Sequence, residues 1–145
     1  VIIQNSYWGD KEILQRIAET TNRGVEVQIF LPAVANLQTD LNMKSMSKLW
    51  KRCENKPKIF LHKNMLHAKL MLIDNNYLLL GSSNLNEVSL EKMQETNILL
   101  DVSNTDLLQK LLENLKKHRS ESEQVSDLNQ LKYNSFLAFL ESLFS

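Results

Sequence analysis

The sequence predicts an α/β fold: a mixed β-sheet flanked by helices, in an αβα sandwich. Three observations lead there. A strand, a helix and a second strand follow one another with short connections from Val1 to Leu31, the pattern of a right-handed βαβ unit with a parallel strand pair. Two apolar runs in the middle of the chain are separated by Asn75-Asn76, the pattern of a tight antiparallel hairpin. Segments with apolar residues at helical spacing alternate with these strands.

In order, Val1-Ile2-Ile3-Gln4 is a short strand, broken by Asn5-Ser6-Tyr7-Trp8-Gly9. Asp10 caps a helix to about Asn22, with Ile13, Leu14, Ile17 and Ala18 as its apolar stripe and Gly24 ending it. Val25 to Leu31 alternates as a strand and Pro32 closes it. Ala33 to about Cys53 reads as helix, with Leu41, Met46, Leu49 and Trp50 inward. Lys58 to Leu61 is a strand, Lys69 to Asp74 and Tyr77 to Leu80 form the hairpin, and Gly81-Ser82-Ser83-Asn84 is a loop. Ser89 to Gln94 is a short helix or irregular, and Thr96 to Leu100 a strand. Thr105 or Asn104 caps a helix whose stripe is Leu107, Leu108, Leu111, Leu112 and Leu115. Lys116 to Gln130 reads as a polar surface loop or frayed helix end. The last helix, from about Leu131, carries Tyr133, Phe136, Leu137, Leu140, Leu143 and Phe144. Its polar face is not basic, which favours core packing over membrane contact.

The 145 residues suffice for one domain with a real core, and residues 1–145 are read as one domain. Seventeen basic and seventeen acidic side chains cancel, so no global field argues for nucleic acid. From Lys44 to Lys69, eight bases face only Glu54. They are either a basic approach for an anionic substrate or a solvated face. The single Cys53 excludes an internal disulfide and reads as a buried small hydrophobe. No apolar run reaches membrane-spanning length and no signal peptide is apparent, so the domain itself is expected to be soluble. The chain opens on Val1, directly in a strand, which suggests a piece of a longer protein.

The chemistry concentrates in the hairpin and the segment just after it. On a strand, His67 and Lys69 point the same way, setting an imidazole beside an ammonium. That pairing suits a neutral imidazole acting as nucleophile or base, with the ammonium on a phosphate oxygen. The hairpin returns Gly81, Ser82 and Asn84 beside them, where small hydrogen-bonding groups suit anionic oxygens. Glu95 opens the next strand, placed to accept from the second nitrogen of a His and fix its tautomer. Asp74, five residues beyond Lys69, is aimed by alternation at the opposite face and reads as an anchor. No His cluster with metal-ligand spacing and no phosphate-binding glycine loop is present, so neither metal nor cofactor is expected. His62 reads as surface and His118 as solvated; Tyr7 and Trp8 are equally substrate-contacting or core residues.

His67-x-Lys69-x4-Asp74, six residues, Gly81-Ser82-x-Asn84 and then Glu95 resemble the HKD signature of the phospholipase D superfamily. Arg23-Gly24-Val25-Glu26-Val27 resembles the lead-in of these proteins. Met65-Leu66-His67-Ala68-Lys69 and Phe136-Leu137-Ala138-Phe139-Leu140 look most like the second half of bacterial cardiolipin synthases. The resemblance implies two motifs facing each other, the second from a missing N-terminal half or a homodimer partner. It implies a phosphohistidine mechanism on a phosphatidylglycerol-like phospholipid, in a membrane-associated bacterial parent protein. His67 carries over as nucleophile or acid, Lys69 and Asn84 as phosphate ligands, Ser82 as a lining group, Glu95 as the group orienting an imidazole, and Asp74 as part of the catalytic signature. Val88 stands where synthases usually have Arg, and Met93 where they usually have Asn. The alternatives are a homodimeric phosphodiesterase or endonuclease acting on nucleic acid, and an isolated half without turnover.

Overall fold

A computed structural model describes residues 1–144. Its single sheet has seven strands, in the order β6-β5-β4-β1-β2-β3-β7. These are β1 (Ile2–Gln4), β2 (Gln28–Pro32), β3 (Lys58–His62), β4 (Lys69–Ile73), β5 (Tyr77–Gly81), β6 (Asn97–Asp101) and β7 (Ser122–Gln124). The first three are mutually parallel, and β4, β5, β6 and β7 join antiparallel to their neighbours. The mixed sheet flanked by helices is the fold class the sequence predicts.

Alternation along the strands sorts their side chains to two faces. Ile3, Ile29, Leu31, Ile59 and Leu61 meet α1 (Lys11–Asn22) and α2 (Thr39–Arg52). Phe30, Phe60, Leu70, Leu72 and Leu78 meet Leu108 and Leu115 of α3 (Asp106–Ser120). There Phe30 and Phe60, in register on β2 and β3, stack with centroids 4.7 Å apart. Each fully buried side chain of this size contributes about 1.5–3 kcal/mol. The caps match the sequence: Asp10 accepts from Ile13 N at 2.7 Å, Thr105 from Leu108 N at 3.2 Å, and Gly24 leaves α1 at φ +89°.

Other elements differ from expectation. β2 starts at Gln28 and α2 at Thr39. The segment before α2 is held by Thr39 Oγ1 on both Ala35 N and Ala35 O, and Gln38 is left-handed. The hairpin loop has three residues, Asp74 to Asn76, because Ile73 pairs with Tyr77. α3 runs through Ser120, and β7, which the sequence presents as loop, pairs with β3. Its three residues carry no apolar pattern, which hides it in the sequence.

The last helix, α4 (Ser135–Ser142), starts later than expected and is inverted. Ala138 is buried, while Phe136, Phe139, Leu140 and Leu143 are exposed. The expected core packing is not what occurs. Glu141 turns inward and its carboxylate accepts from Leu41 N of α2 at 2.6 Å. Among the described residues, no helix is long and apolar enough to cross a membrane.

Candidate active site

Lys69, Gly81 and Asn97 stand in one row across β4, β5 and β6. The row needs glycine at its centre: a Cβ on Gly81 would lie 1.8 Å from Asn97 Oδ1 and 2.6 Å from Thr96 O. The Asn97 amide lies over that gap and donates to Ser83 Oγ at 2.7 Å. The hairpin thus brings Ser82, Ser83 and Asn84 back beside Lys69, as its two-strand register requires.

The ammonium of Lys69 donates to His67 O at 2.8 Å and to Ser6 Oγ at 3.4 Å, and stands 3.5 Å from His67 Nδ1. Burial pushes its pKa down, and the negative charge of Glu95 partly offsets this. The His67 ring is exposed, and its Nε2 has no protein partner among the described residues. Glu95 accepts from Ser82 Oγ in a short hydrogen bond and from Ser89 Oγ at 3.1 Å. Its carboxylate is therefore held by hydroxyls within this chain and does not bond to His67. Among the described residues, Asn84 Oδ1 is buried without a hydrogen-bond partner. Such a group costs about 1–3 kcal/mol unless a ligand satisfies it.

Residues outside the motif fix this arrangement. Ser6 is wholly buried and donates to Leu66 O at 2.8 Å, while Asn5 donates to Ser83 O at 3.2 Å. One turn after β1 therefore grips both the segment before His67 and the loop after Gly81. Asn42 of α2 braces that turn, donating to Ser6 O at 2.8 Å and accepting from Trp8 N at 2.9 Å. Trp8 is fully buried, with Nε1 donating to Asn5 O, which decides for core over substrate contact. Sequence reasoning misses Asn5, Ser6 and Asn97. The one signal for the first two is a polar pair directly after an apolar strand.

Asp74 is not brought to this cluster. It is exposed in the hairpin loop at φ +51°, about 16 Å of strand away from Lys69. Its left-handed backbone shapes the turn, closed by Asn76 N on Ile73 O at 2.9 Å. The eight bases do not converge on this cluster either. Lys58 pairs with Glu26 and Lys63 with Glu121, Lys56 holds carbonyls at the end of α2, and only Lys69 reaches the site.

His62 and His118 form a separate cluster. The expected surface position of His62 is corrected: β7 covers it, its side chain is 4% exposed, and Nε2 lies 3.3 Å from Glu121 Oε2. His118, expected to be solvated, is half-buried with Nδ1 3.0 Å from Gln4 Oε1. The two rings meet edge-on at 5.3 Å. Among the described residues, no three His, Cys, Asp or Glu side chains are grouped to hold a metal.

Beside Lys69 opens a hollow of about 170 Å³, walled by Ile3, Met71, Leu79, Leu85 and Leu90. An exposed imidazole and a half-buried ammonium beside an apolar hollow can receive an anionic, partly apolar ligand.

Comparison with known proteins fits this picture. A family model described as "Cardiolipin synthase, PLD-like domain" matches residues 1–119. The fold is similar to Nuc, a phospholipase D family member from Salmonella typhimurium (TM-score 0.74, 17% identity, 86% of this chain and 80% of that one). It is similar to NucT from Helicobacter pylori (TM-score 0.68, 18% identity, the same shares). It also matches phosphatidylserine synthase from Haemophilus influenzae (TM-score 0.78, 18% identity), over 99% of this chain but 38% of the synthase. No curated protein sequence matches the chain.

Proposed function

Because the chain belongs to the family of cardiolipin synthase PLD-like domains, we propose that it is one half of a phosphatidyltransferase working through a phosphohistidine. The observation carrying this reading is the exposed imidazole of His67 beside the Lys69 ammonium, with Nε2 open and able to attack in the tautomer that carries its proton on Nδ1. Nε2 attacks the phosphorus of a phosphatidylglycerol-like lipid, forming an N–P bond as the P–O bond to the leaving alcohol breaks. A second imidazole gives that alcohol its proton. An incoming alcohol then loses its proton to the same imidazole and displaces the phosphatidyl group from His67. Should His67 instead be the acid, the two imidazoles exchange roles.

Lys69 and the Asn84 amide hold the non-bridging oxygens, a task suited to an ammonium already stripped of some water. Ser82 lines the site and ties Glu95 in place, and the Glu95 carboxylate orients the imidazole of the assembled pair. Asp74 serves as turn anchor. Residues 1–145 form one domain, the C-terminal half of a longer, membrane-associated bacterial protein whose other half supplies the second motif. The apolar hollow beside Lys69 supports a lipid over a nucleic acid.

A second reading, a phosphodiesterase or endonuclease assembled from two copies, is favoured by the extent of the match: the chain spans 80% of Nuc and of NucT. The test supplies the full-length protein with phosphatidylglycerol or single-stranded DNA, then seeks an alkali-stable adduct on the His67 peptide by mass spectrometry. A phosphatidyl adduct or lipid turnover, reduced about 10³-fold in His67→Asn, is expected. DNA cleavage without lipid turnover selects the second reading. Unchanged turnover in His67→Asn overturns both.

A further inference from the structure

The inverted helix α4 lies against α2, and at the end of α4 a polar groove of about 510 Å³ opens between α1 and α2. Lys11, Lys44, Lys48 and Arg52 line it, with Glu87 as the one carboxylate among the described residues. Glu87 is already paired with Lys92 at 3.1 Å. None of the four cations has an ion pair or hydrogen-bonding side-chain partner among the described residues. They repel one another: burial chiefly, then Lys44, Lys11 and Arg52, push the Lys48 ammonium to a lower pKa. Ser142 of α4 lines the same groove, so the cations adjoin the helix whose Phe136, Phe139, Leu140 and Leu143 face outward.

That stripe repeats at i, i+3, i+4 and i+7, a continuous apolar face with nothing among the described residues packed over it. Exposed Val34 and Leu37 precede α2 at the end where Asn134 N donates to Asp40 at 2.5 Å, so more apolar surface borders the start of α4. The basicity that α4 lacks on its own polar face is supplied by its neighbours.

We propose that α4 and the cationic groove beside it form a docking surface for an anionic lipid bilayer. The phenylalanines and leucines of α4 enter the acyl boundary, and Lys11, Lys44, Lys48 and Arg52 engage phosphates of the headgroups. Either element alone binds weakly; an apolar anchor joined to a polybasic patch is the combination that holds a protein on a membrane. Charge complementarity selects this occupant: a second copy of the chain would bring the same four unpaired cations to the seam. The inference is independent of the chemistry proposed for His67, and its test reads binding rather than turnover.

The test is co-sedimentation of the chain with vesicles of phosphatidylcholine containing 30% phosphatidylglycerol or none, chosen as about one anionic lipid in three. Binding to the anionic vesicles only is expected, with each basic residue worth roughly fivefold. Lys44→Gln with Lys48→Gln then weakens binding by more than tenfold, and Phe139→Ser does so independently. Both sites are peripheral, and circular dichroism checks the fold. In Phe139→Trp, brominated lipid quenches the new fluorescence. Equal binding to neutral vesicles, an unaffected lysine variant or absent quenching overturns the proposal. So does a dimer, seen by sedimentation equilibrium, that Phe139→Ser dissociates, since the face is then a protein interface.

Discussion

The Nζ of Lys69 stands 3.4 Å from the Oγ of Ser6, a contact between side chains sixty-three positions apart in the chain. The same hydroxyl donates to Leu66 O, so a single buried group fixes both the ammonium and the segment entering His67. The ammonium therefore does not swing freely on its four-carbon stem.

Removing that hydroxyl tests the arrangement. Ser6→Ala leaves Leu66 O buried without a donor and is expected to cost about 1–3 kcal/mol. It also frees Lys69, so phosphodiester turnover falls further than the remaining folded fraction accounts for. Urea melts and rates measured on one preparation separate the two losses.

Glu95→Gln removes the charge that partly offsets the effect of burial on Lys69. The Lys69 pKa therefore drops further. The alkaline limb of the pH–rate profile moves to lower pH, because the ammonium is needed in its charged form. Ser82 and Ser89 exchange a carboxylate acceptor for an amide, with a stability loss of about 1 kcal/mol. An alkaline limb that stays in place would separate Glu95 from Lys69.

Gly81→Ala is expected to be more damaging than its size suggests. The new methyl meets both the Asn97 side chain and the Thr96 carbonyl at less than contact distance. The side chain can rotate, at the expense of its bond to Ser83, but the backbone of β6 has to shift. The expected loss is about 3 kcal/mol, read as a lowered denaturant midpoint.

His118 makes stability sensitive to acid. Burial chiefly, and then the neighbouring His62 and Lys117, hold its pKa below the ordinary imidazole value, against the pull of Glu121. The unfolded chain thus takes up the proton at a higher pH than the folded one. Stability is complete above the unfolded value of about 6.5 and is lost as pH falls through the lower folded value. His118→Asn retains a donor for Gln4 Oε1 and lacks the titration. Its urea midpoint should fall less between pH 7 and 5 than that of the parent chain.

The strands and helices that position the site are legible in the sequence because their patterns are local. Asp10, Gly24 and Thr105 punctuate helices, and the two apolar runs around residues 74–76 specify a hairpin whose register then returns Ser82 and Asn84 to Lys69. The features that escape are long-range. Ser6 and Asn5 matter only because β1 lies next to β4, a pairing no local pattern announces. β7 shows no alternation because it borrows its place from β3. The outward stripe of α4 looks in sequence like any core helix; only the fold shows that Ala138 and Glu141 turn inward instead.

The pairing of β1 with β4 also has a consequence for how the site comes into being. On one side of that seam stand the parallel strands with their crossover helices; on the other, hairpins between sequence neighbours. Apart from β7, which reaches β3 from far along the chain, each side can form from contacts close in the chain, whereas the seam joins Ile2 to Leu72 and must pay the closure entropy of a long loop. Ser6 on Lys69 and Asn5 on Ser83 both cross it. The machinery is assembled in the step that closes the seam, and a transient parting there would silence the protein while both halves kept most of their own hydrogen bonds.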